Sequence, residues 1–367
     1  MLPGRPRAHR TATPRRRSRT LVPALVPAAV PAVVAVLALA GCASGAAGTG
    51  PGAAPTAATS TGATDAGTPS AAAFPVTVDN CGTEVTLDAA PERLVTIKSS
   101  TTELVVALGL ADRVVGAAFL DGPYPQDLAD EAAAVPVVSD GVPGQEAVLA
   151  LEPDLVLGGW ESNFSADGAG ERDALADLGI ASYVAASACK GPAYQPDPLT
   201  FGTVFDEIRQ VGAVLGVPDR AEALVEEQEA ALAEVPALEP GTSALWYSSG
   251  SDTPYVGAGI GAPQMIMDAV GLENVFADVH DTWTSAGWEQ VVAADPDVVV
   301  LVDAAWNTAE SKIAALEANP ATAALTAVRE RRYVTVPFAA TEGGVRNVEA
   351  AASIAQQLAD LGVASGS

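Results

Sequence analysis

An eleven-residue phrase occurs twice in this chain and constrains the fold more than any other feature. The first copy, residues 146–156, begins at Glu146, and the second, residues 289–299, begins at Glu289. Glu, Val, Ala, an acid, Pro-Asp and Val recur at identical offsets. Each copy reads as a short helix, a Pro-Asp break and an apolar strand. A unit repeated about 140 residues apart predicts two copies of one lobe, and a cleft between lobes suits a small ligand.

Residues 1–41 are predicted to be an export signal and not part of the fold. Residues 5–19 hold seven arginines and no acid, and an apolar stretch follows. This order is typical of a signal peptide. Cys42 directly follows Leu-Ala-Gly and resembles the lipidated first residue of a bacterial lipoprotein. A transmembrane anchor is the alternative, since about 20 apolar residues can span a bilayer.

Residues 42–73 are predicted to be a disordered tether, because small and polar residues with one charge, Asp65, cannot build a core. Loss of the seven arginines takes the formal net charge from −26 to −33. Such acidity argues against nucleic acid as a partner and favours a basic partner surface. With Cys42 lipidated, Cys81 and Cys189 remain as an even pair outside the cytoplasm, where a disulfide can form. The alternative is two unrelated small core residues.

The rest of the chain is predicted to be α/β, because strands, polar turns and helices alternate in both halves. A hairpin is expected around Cys81. A buried strand, residues 94–97, leads into a helix on which Ser100 and Glu103 fit a capping box.

The predicted boundaries place an N-terminal lobe at 74–200, a helical connector at 201–240 and a C-terminal lobe at 241–367. Within the connector, Pro218 suits the first turn of a long amphipathic helix. Such a helical run favours a rigid connector over a flexible hinge.

Ligands of parallel α/β lobes bind beyond the carboxyl ends of the strands, so the residues there form the candidate binding set. The candidates are Lys98, Ser99, Ser100, Trp160, Glu161, Asn163, Trp246, Tyr247, Trp283, Trp288, Trp306, Phe338 and Arg346. They include all five tryptophans of the chain. Flat aromatic walls suit a large, partly planar ligand, with core packing the alternative for each ring.

Two basic candidates bear on the charge of the ligand. Lys98 and Arg346 either neutralise an anionic group or are surface charges. So few bases argue against a tricatecholate siderophore, which carries several negative charges. A neutral hydroxamate chelate, a cobamide or a singly charged ligand fits better.

Four segments, FPVTVDNCGTEVTLDAAPERLVTI, SSTTELVVALGLADRVVG, QEAVLALEPDLVL and WEQVVAADPDVVVL, resemble the substrate-binding proteins of bacterial ABC importers for siderophores and cobalamin. The resemblance covers roughly residues 74–361. It implies two pseudo-symmetric α/β lobes with parallel sheets, joined by one long rigid helix. It also implies limited closure on the ligand and delivery to a permease dimer with ATPase subunits.

The same resemblance implies that Glu146 and Glu289, one per lobe, meet arginines on the permease. Ion pairs of this exposed kind act mainly on orientation and association rate. The alternative is that each glutamate is only a first-turn acid favoured by the helix dipole.

One actinobacterial subgroup of this family, assigned to import of a deazaflavin coenzyme precursor, has similar sequences in three segments. In this chain they read TIKSSTTELVVALGL, VPGQEAVLALEPDLV and WESNFSADGAGERD. That precursor is the leading ligand candidate, with siderophore or tetrapyrrole-type cargo as alternatives. The protein is expected to be a monomer without a cofactor, lipid-anchored to the outer face of the cell membrane.

Two rival classes of protein, a receptor of free metal ions and an extracellular hydrolase, would each need histidine side chains. The mature chain holds one, His280, which is too few for a receptor of free metal ions. An extracellular hydrolase would need His280 as its base, and the sequence has no Gly-x-Ser-x-Gly elbow. The chain is therefore expected not to be an enzyme, with a hydrolase or a non-transport surface protein as the alternative.

Overall fold

The computed structural model describes residues 73–191, 193–194, 198–239 and 241–363. The predicted signal peptide, Cys42 and the tether up to residue 72 lie outside these ranges. Within them, no helix combines the length and the apolar character that crossing a bilayer requires.

The first half of the described chain forms a hairpin and a five-stranded parallel sheet. Its elements are β1 (Val76–Asn80), β2 (Thr83–Leu87), β3 (Leu94–Ile97), α1 (Ser99–Ala107), β4 (Val114–Ala118), α2 (Ala129–Ala132), β5 (Val137–Ser139), α3 (Gln145–Leu149), β6 (Leu155–Gly158), α4 (Arg172–Asp177) and β7 (Ala181–Val184). β1 and β2 are the expected antiparallel hairpin. The sheet order is β5-β4-β3-β6-β7. The central strand β3 is buried along its whole length, and its one polar residue, Thr96, shares a hydrogen bond with the Thr102 hydroxyl.

The start of α1 differs from the sequence prediction. Lys98 is the N-cap residue and its side chain makes no capping hydrogen bond, so the predicted capping box of Ser100 and Glu103 is wrong. Ser100 already lies inside the helix. Glu103 turns away from the backbone because it is buried against Arg346 of the other lobe.

Two helices, α5 (Phe201–Val214) and α6 (Pro218–Ala233), connect the halves. Near the start of α6, Arg220 donates to the carbonyl oxygen of Gly109, 2.9 Å away, in the first half. Beyond its end, the Leu238 N–H donates to Val270 O in the second half. One buried apolar cluster continues from the first sheet through both helices into the second sheet. Packing of this kind opposes a wide hinge motion.

The second half forms a six-stranded mixed sheet. Its elements are β8 (Thr242–Ser249), β9 (Tyr255–Gly257), α7 (Ala262–Ala269), β10 (Leu272–Asn274), β11 (Trp283–Ser285), α8 (Trp288–Ala294), β12 (Val298–Asp303), α9 (Ala309–Ala318), α10 (Thr326–Arg329), β13 (Tyr333–Pro337) and α11 (Asn347–Asp360). The order is β11-β9-β8-β12-β13, with β10 also paired to β8. β8, β10, β12 and β13 are parallel, whereas β9 and β11 add an antiparallel edge that the expected parallel sheet lacked. The predicted α/β class is confirmed.

The repeated phrase has the same backbone shape in both halves. Glu152 and Asp295, at equal offsets, both adopt the left-handed conformation, with φ of 48° and 42°. The proline that follows each of them, Pro153 or Pro296, is buried. Each phrase therefore makes the same turn between its helix and its strand.

The aspartate of each Pro-Asp pair has the same structural role in both halves. Asp154 Oδ2 accepts the N–H groups of Glu92 and Arg93, at 2.7 and 2.9 Å, directly before β3. Asp297 Oδ2 accepts the N–H and the hydroxyl of Ser243, at 3.0 and 2.8 Å, at the start of β8. In each half, one carboxylate thus fixes the start of the neighbouring central strand.

Candidate ligand-binding site

A cavity of about 520 Å³ lies where the carboxyl ends of the two sheets face each other. The first half contributes the residues after β6, the loop after β7 and the segment before α5. The second half contributes the ends of β8, β12 and β13 together with the loops next to β9 and β11. The lining residues are Trp160, Glu161, Ser162, Ser187, Ala188, Lys190, Leu199, Ser248, Ser249, Tyr255, Ile260, Gly261, Ala262, Asp281, Thr282, Trp283, Trp306, Phe338, Thr341, Glu342 and Gly343.

Aromatic rings from both halves line this cavity. Tyr255 and Trp283 stack with their ring centroids 5.9 Å apart and their planes 14° apart. The antiparallel pairing of β9 with β11 brings these two side chains together. Trp306 meets Phe338 edge to face at 5.8 Å and is 64% exposed, which leaves one of its faces open to a ligand.

The ring of the first half is Trp160, which follows β6. Asn163 is buried, and its Oδ1 accepts the Trp160 N–H at 2.9 Å. Phe119 meets the Trp160 ring edge to face at 5.5 Å. Asn163 does not line the cavity, and its side chain instead holds the backbone of Trp160.

A disulfide holds the cavity loop that follows β7. Cys81, in the turn of the β1–β2 hairpin, is bonded to Cys189, and the two residues are 108 apart in the sequence. Ser187, Ala188 and Lys190, beside Cys189, line the cavity. The hairpin therefore anchors one wall of the site.

Two carboxylates hold the same loop through its backbone. Glu161 Oε2 accepts the Lys190 N–H at 2.6 Å, and Glu207 Oε1 accepts the Ala186 N–H at 2.9 Å. Burial raises the pKa of Glu207 to about 7, although hydrogen bonds from the backbone of Ala186 and Ser187 lower it.

Acids outnumber bases along the described lining. Glu161, Asp281 and Glu342 face one lysine, Lys190. Burial raises the pKa of Glu342, while the nearby charge of Lys98 lowers it. An arrangement of this kind favours neutral or cationic ligands, and ligands with hydrogen-bond donors, over polyanions.

Several candidate residues lie away from the cavity. Trp246 is fully buried and Tyr247 nearly so, because β8 runs to Ser249 and places both within the strand and not at its end. The Tyr247 hydroxyl donates to Gly250 O. Trp288 is the first residue of α8; it packs on Tyr247 and donates from Nε1 to Ser251 O. The expectation that all five tryptophans border the cleft is therefore wrong for Trp246 and Trp288.

The serines at the start of α1 are also buried outside the cavity lining. The Ser99 N–H donates to Asp121 Oδ2, and the Ser99 hydroxyl accepts the Asp121 N–H. Ser100 lies beneath the wall, near Gly344. Both serines support the site from behind.

The two basic candidates are neither surface charges nor part of the lining. Lys98 is fully buried and pairs with Asp121. Arg346 Nε lies 2.8 Å from Glu103 Oε2, and Arg346 Nη2 donates to Pro123 O at 2.7 Å. Burial raises the pKa of Glu103 to about 7, although the Arg346 charge lowers it. Arg346 therefore joins the second half to the first through a buried ion pair.

Sequence reasoning missed Tyr255, Thr282 and the loop around Lys190. The Gly-Ser-Asp-Thr-Pro turn after β8 was a usable signal, because it predicts a hairpin that returns an aromatic residue to the sheet edge. His280 is exposed and lies outside the lining. Among the described residues, no group of three or more His, Cys, Asp or Glu side chains is arranged to hold a metal ion.

Glu146 and Glu289 occupy matching places on the surface. Each is exposed and lies in the first turn of its helix, α3 or α8. This placement suits docking and equally suits the helix dipole.

Comparisons with known proteins give the family. A family described as "Periplasmic binding protein" matches residues 94–340. An ABC transporter substrate-binding lipoprotein of Bacillus subtilis is 27% identical over 301 residues, covering 78% of this chain and 86% of the relative. A cobalamin-binding protein of Halobacterium salinarum is 30% identical over 254 residues, covering 65% of this chain and 61% of the relative.

A solved structure agrees with the sequence matches. The crystal structure of an ABC-type Fe³⁺-hydroxamate transport system from Saccharomonospora viridis is 29% identical, with a TM-score of 0.67, and the match covers 78% of this chain and 99% of that protein's chain. The segment that matches the family, residues 94–340, includes both large sheets and most of the cavity lining. The predicted resemblance to the substrate-binding proteins of ABC importers is confirmed, and the chain belongs to the periplasmic binding protein family.

Proposed function

We propose that this protein binds a partly planar small molecule outside the cell and delivers it to the permease of an ABC importer. The observation that carries the proposal is the cavity of about 520 Å³, walled by aromatic rings from both halves, in a chain of this family. Cavities of roughly 300–1,000 Å³ enclose ligands of ordinary small-molecule size. The Bacillus subtilis relative supports the lipoprotein assignment, with Cys42 as the anchor.

The charge of the cavity narrows the range of ligands that the protein can bind. Three carboxylates and one lysine line it in the described residues, and Lys98 and Arg346 are occupied by buried acids. A tricatecholate chelate would meet these acids without compensating bases. The two carboxylates of haem would meet the same obstacle, although a haem-binding protein from Roseiflexus has a similar structure.

Our leading ligand is the precursor of a deazaflavin coenzyme. Its flat ring system suits the space between the stacked pair Tyr255–Trp283 and the open face of Trp306. Its hydroxyl-bearing chain can donate hydrogen bonds to Glu161 or Asp281. A cobamide and a neutral ferric hydroxamate remain as alternatives, and a cobamide would project from the cavity because of its size.

A chromophore screen tests the ligand assignment. Corrins, haem, ferric chelates and deazaflavins absorb differently, so protein purified from its natural host is expected to carry the deazaflavin spectrum. Added ligand at 100 times its dissociation constant should stabilise the fold by about 2.7 kcal/mol in a thermal-shift titration. The absence of stabilisation by all four classes would refute the proposal.

A matched pair of tryptophan variants separates binding from folding. Trp283→Ala removes a ring that lines the cavity and should weaken ligand binding about tenfold or more. Trp288→Ala removes a ring that packs on Tyr247 outside the cavity, so it should lower stability and leave affinity within about twofold. Equal loss of affinity in both variants would contradict the assigned site.

Glu146 and Glu289 are proposed to dock the permease. Both are exposed at equivalent places in the two halves, so two like acids can address a two-fold permease dimer. Changing both to Arg should abolish uptake of labelled ligand in cells that carry the permease and leave ligand affinity unchanged. Glu226→Arg with Glu310→Arg, on α6 and α9, is a control of equal charge change and should leave uptake intact. Loss of affinity in the Glu146 and Glu289 variant would instead place those acids in ligand binding.

A further inference from the structure

Lys98 is the most unusual buried group near the cavity. It follows β3, has no exposed surface, and adopts a left-handed backbone conformation with φ of 87°. Such a conformation costs a non-glycine residue free energy and persists only where the surroundings impose it. Gly159 lets β6 approach closely, since a Cβ there would lie 2.7 Å from Lys98 Cβ.

The Lys98 ammonium group lies among three aromatic rings. Its Nζ is 3.9 Å from the centroid of the Trp160 ring, 4.5 Å from that of Phe119 and 5.0 Å from that of Phe338. The Asp121 carboxylate pairs with the same nitrogen and balances its charge. A cation attracts the face of an aromatic ring, and the attraction is strongest where water is excluded.

Two of these rings belong to the cavity wall, and they come from opposite halves of the protein. Trp160 follows β6 in the first sheet, and Phe338 follows β13 in the second. Phe338 in turn meets Trp306 edge to face. One buried charge is therefore shared by both walls of the cleft.

We propose that Lys98 is a positioning residue that holds Trp160 and Phe338, one ring from each lobe, in the orientation that forms the ligand cavity. Lys98 does not line the cavity, so it acts on the ligand through these rings. An apolar side chain of equal length would fill the space without attracting the ring faces. The proposal rests on the proposed function, because the cavity is taken to be the ligand site.

The first test needs no ligand, so it is independent of the proposed function. Acrylamide quenching of tryptophan fluorescence is measured for each variant with and without Trp160→Phe, and the difference isolates Trp160. Lys98→Met is expected to raise the Trp160-specific quenching constant at least about twofold. Without the ammonium group the Trp160 ring is no longer held in place, so acrylamide reaches it more easily. Lys98→Arg should restore most of the wild-type value, since guanidinium also attracts ring faces.

Lys312→Met is the matched control. Lys312 is 2% exposed and donates to the carbonyl oxygens of Val302 and Asn307. Its loss should lower stability but leave the Trp160-specific quenching unchanged. Equal quenching changes in Lys98→Met and Lys312→Met, or none in Lys98→Met, would overturn the proposal.

The second test uses the ligands named above as probes: a deazaflavin precursor, cyanocobalamin and a ferric hydroxamate. For a probe that binds, Lys98→Met should weaken affinity about tenfold and Lys312→Met less than about twofold. Unchanged affinity in Lys98→Met would overturn the proposal. If no probe binds, the proposed function fails, and the quenching measurement alone decides the role of Lys98.

Should Lys98→Met fail to fold, Asp121→Asn provides a second variant. It keeps the ammonium but removes its carboxylate partner, so Nζ is no longer fixed between the rings. It is expected to raise Trp160-specific quenching in the same direction. Wild-type quenching in a folded Asp121→Asn variant would count against the assigned geometry.

Discussion

Removal of the Cys81–Cys189 disulfide should lower stability strongly and ligand affinity only modestly. The perturbation is the double substitution of both cysteines by Ser. The bond closes a loop with a sequence separation of 108 residues, and it links the hairpin turn to the cavity loop. Its two effects, on the unfolded chain and on the cavity wall, can be measured separately.

The magnitude follows from the length of the closed loop. In the chain-entropy treatment, a loop of 108 residues corresponds to about 5 kcal/mol of folding free energy at 25 °C. Measured values for native disulfides are about 2–5 kcal/mol, so a loss within that range is expected. The cavity loop keeps the hydrogen bonds of its backbone to Glu161 and Glu207, so affinity should fall less than about tenfold.

Urea unfolding followed by circular dichroism measures the stability change, and titration with the identified ligand measures affinity. Wild-type protein reduced with dithiothreitol should match the double Ser variant, which controls for the substitutions themselves. A stability change below about 1 kcal/mol would refute the loop-entropy argument. A complete loss of binding in a folded variant would show that the hydrogen bonds of Glu161 and Glu207 do not hold the loop.

Two further predictions concern the buried acid Glu103 and the repeated phrase. Burial raises the pKa of Glu103 from 4.5 to about 7, so this group's contribution to stability is complete below pH 4.5 and is lost as the pH rises through 7. Glu103→Gln should therefore flatten the decline of unfolding free energy between pH 5 and 8 by up to about 3 kcal/mol, and parallel profiles would contradict this. Asp154→Ala and Asp297→Ala should each lower the unfolding free energy by about 1–3 kcal/mol, because each removes an acceptor of two hydrogen bonds. The two changes in unfolding free energy should add in a double-mutant cycle measured by urea unfolding, since the two sites share no partner. A coupling free energy above about 1 kcal/mol would argue against independent strand anchors.

The fold was predictable because its signals are local. The repeated Pro-Asp phrase, the buried apolar strands and the amphipathic connector depend on short-range sequence patterns. The capping box at Ser100 and Glu103 failed because a long-range partner, Arg346, competes for the glutamate. The place of the cavity was also predictable, because carboxyl ends of parallel strands meet at one edge of each sheet.

The residues of the site were less predictable, because small differences in strand length decide which side chains face the cleft. β8 extends to Ser249, so Trp246 and Tyr247 became core residues. Tyr255 entered the wall because an antiparallel edge strand returned it beside Trp283. None of these outcomes follows from residue type alone.

The sequence by itself determined two like α/β halves, their helical connection and the edge of the sheets at which a ligand can bind, since period and turn chemistry act over a few residues. Only the tertiary structure decided where the charges went. From the sequence alone, Lys98 and Arg346 are expected to be unpaired cations near strand ends. In the structure, each is buried against an acid and contacts the opposite half of the protein. Such pairings depend on groups that lie far apart in the chain, and desolvation makes them decisive once the halves pack together.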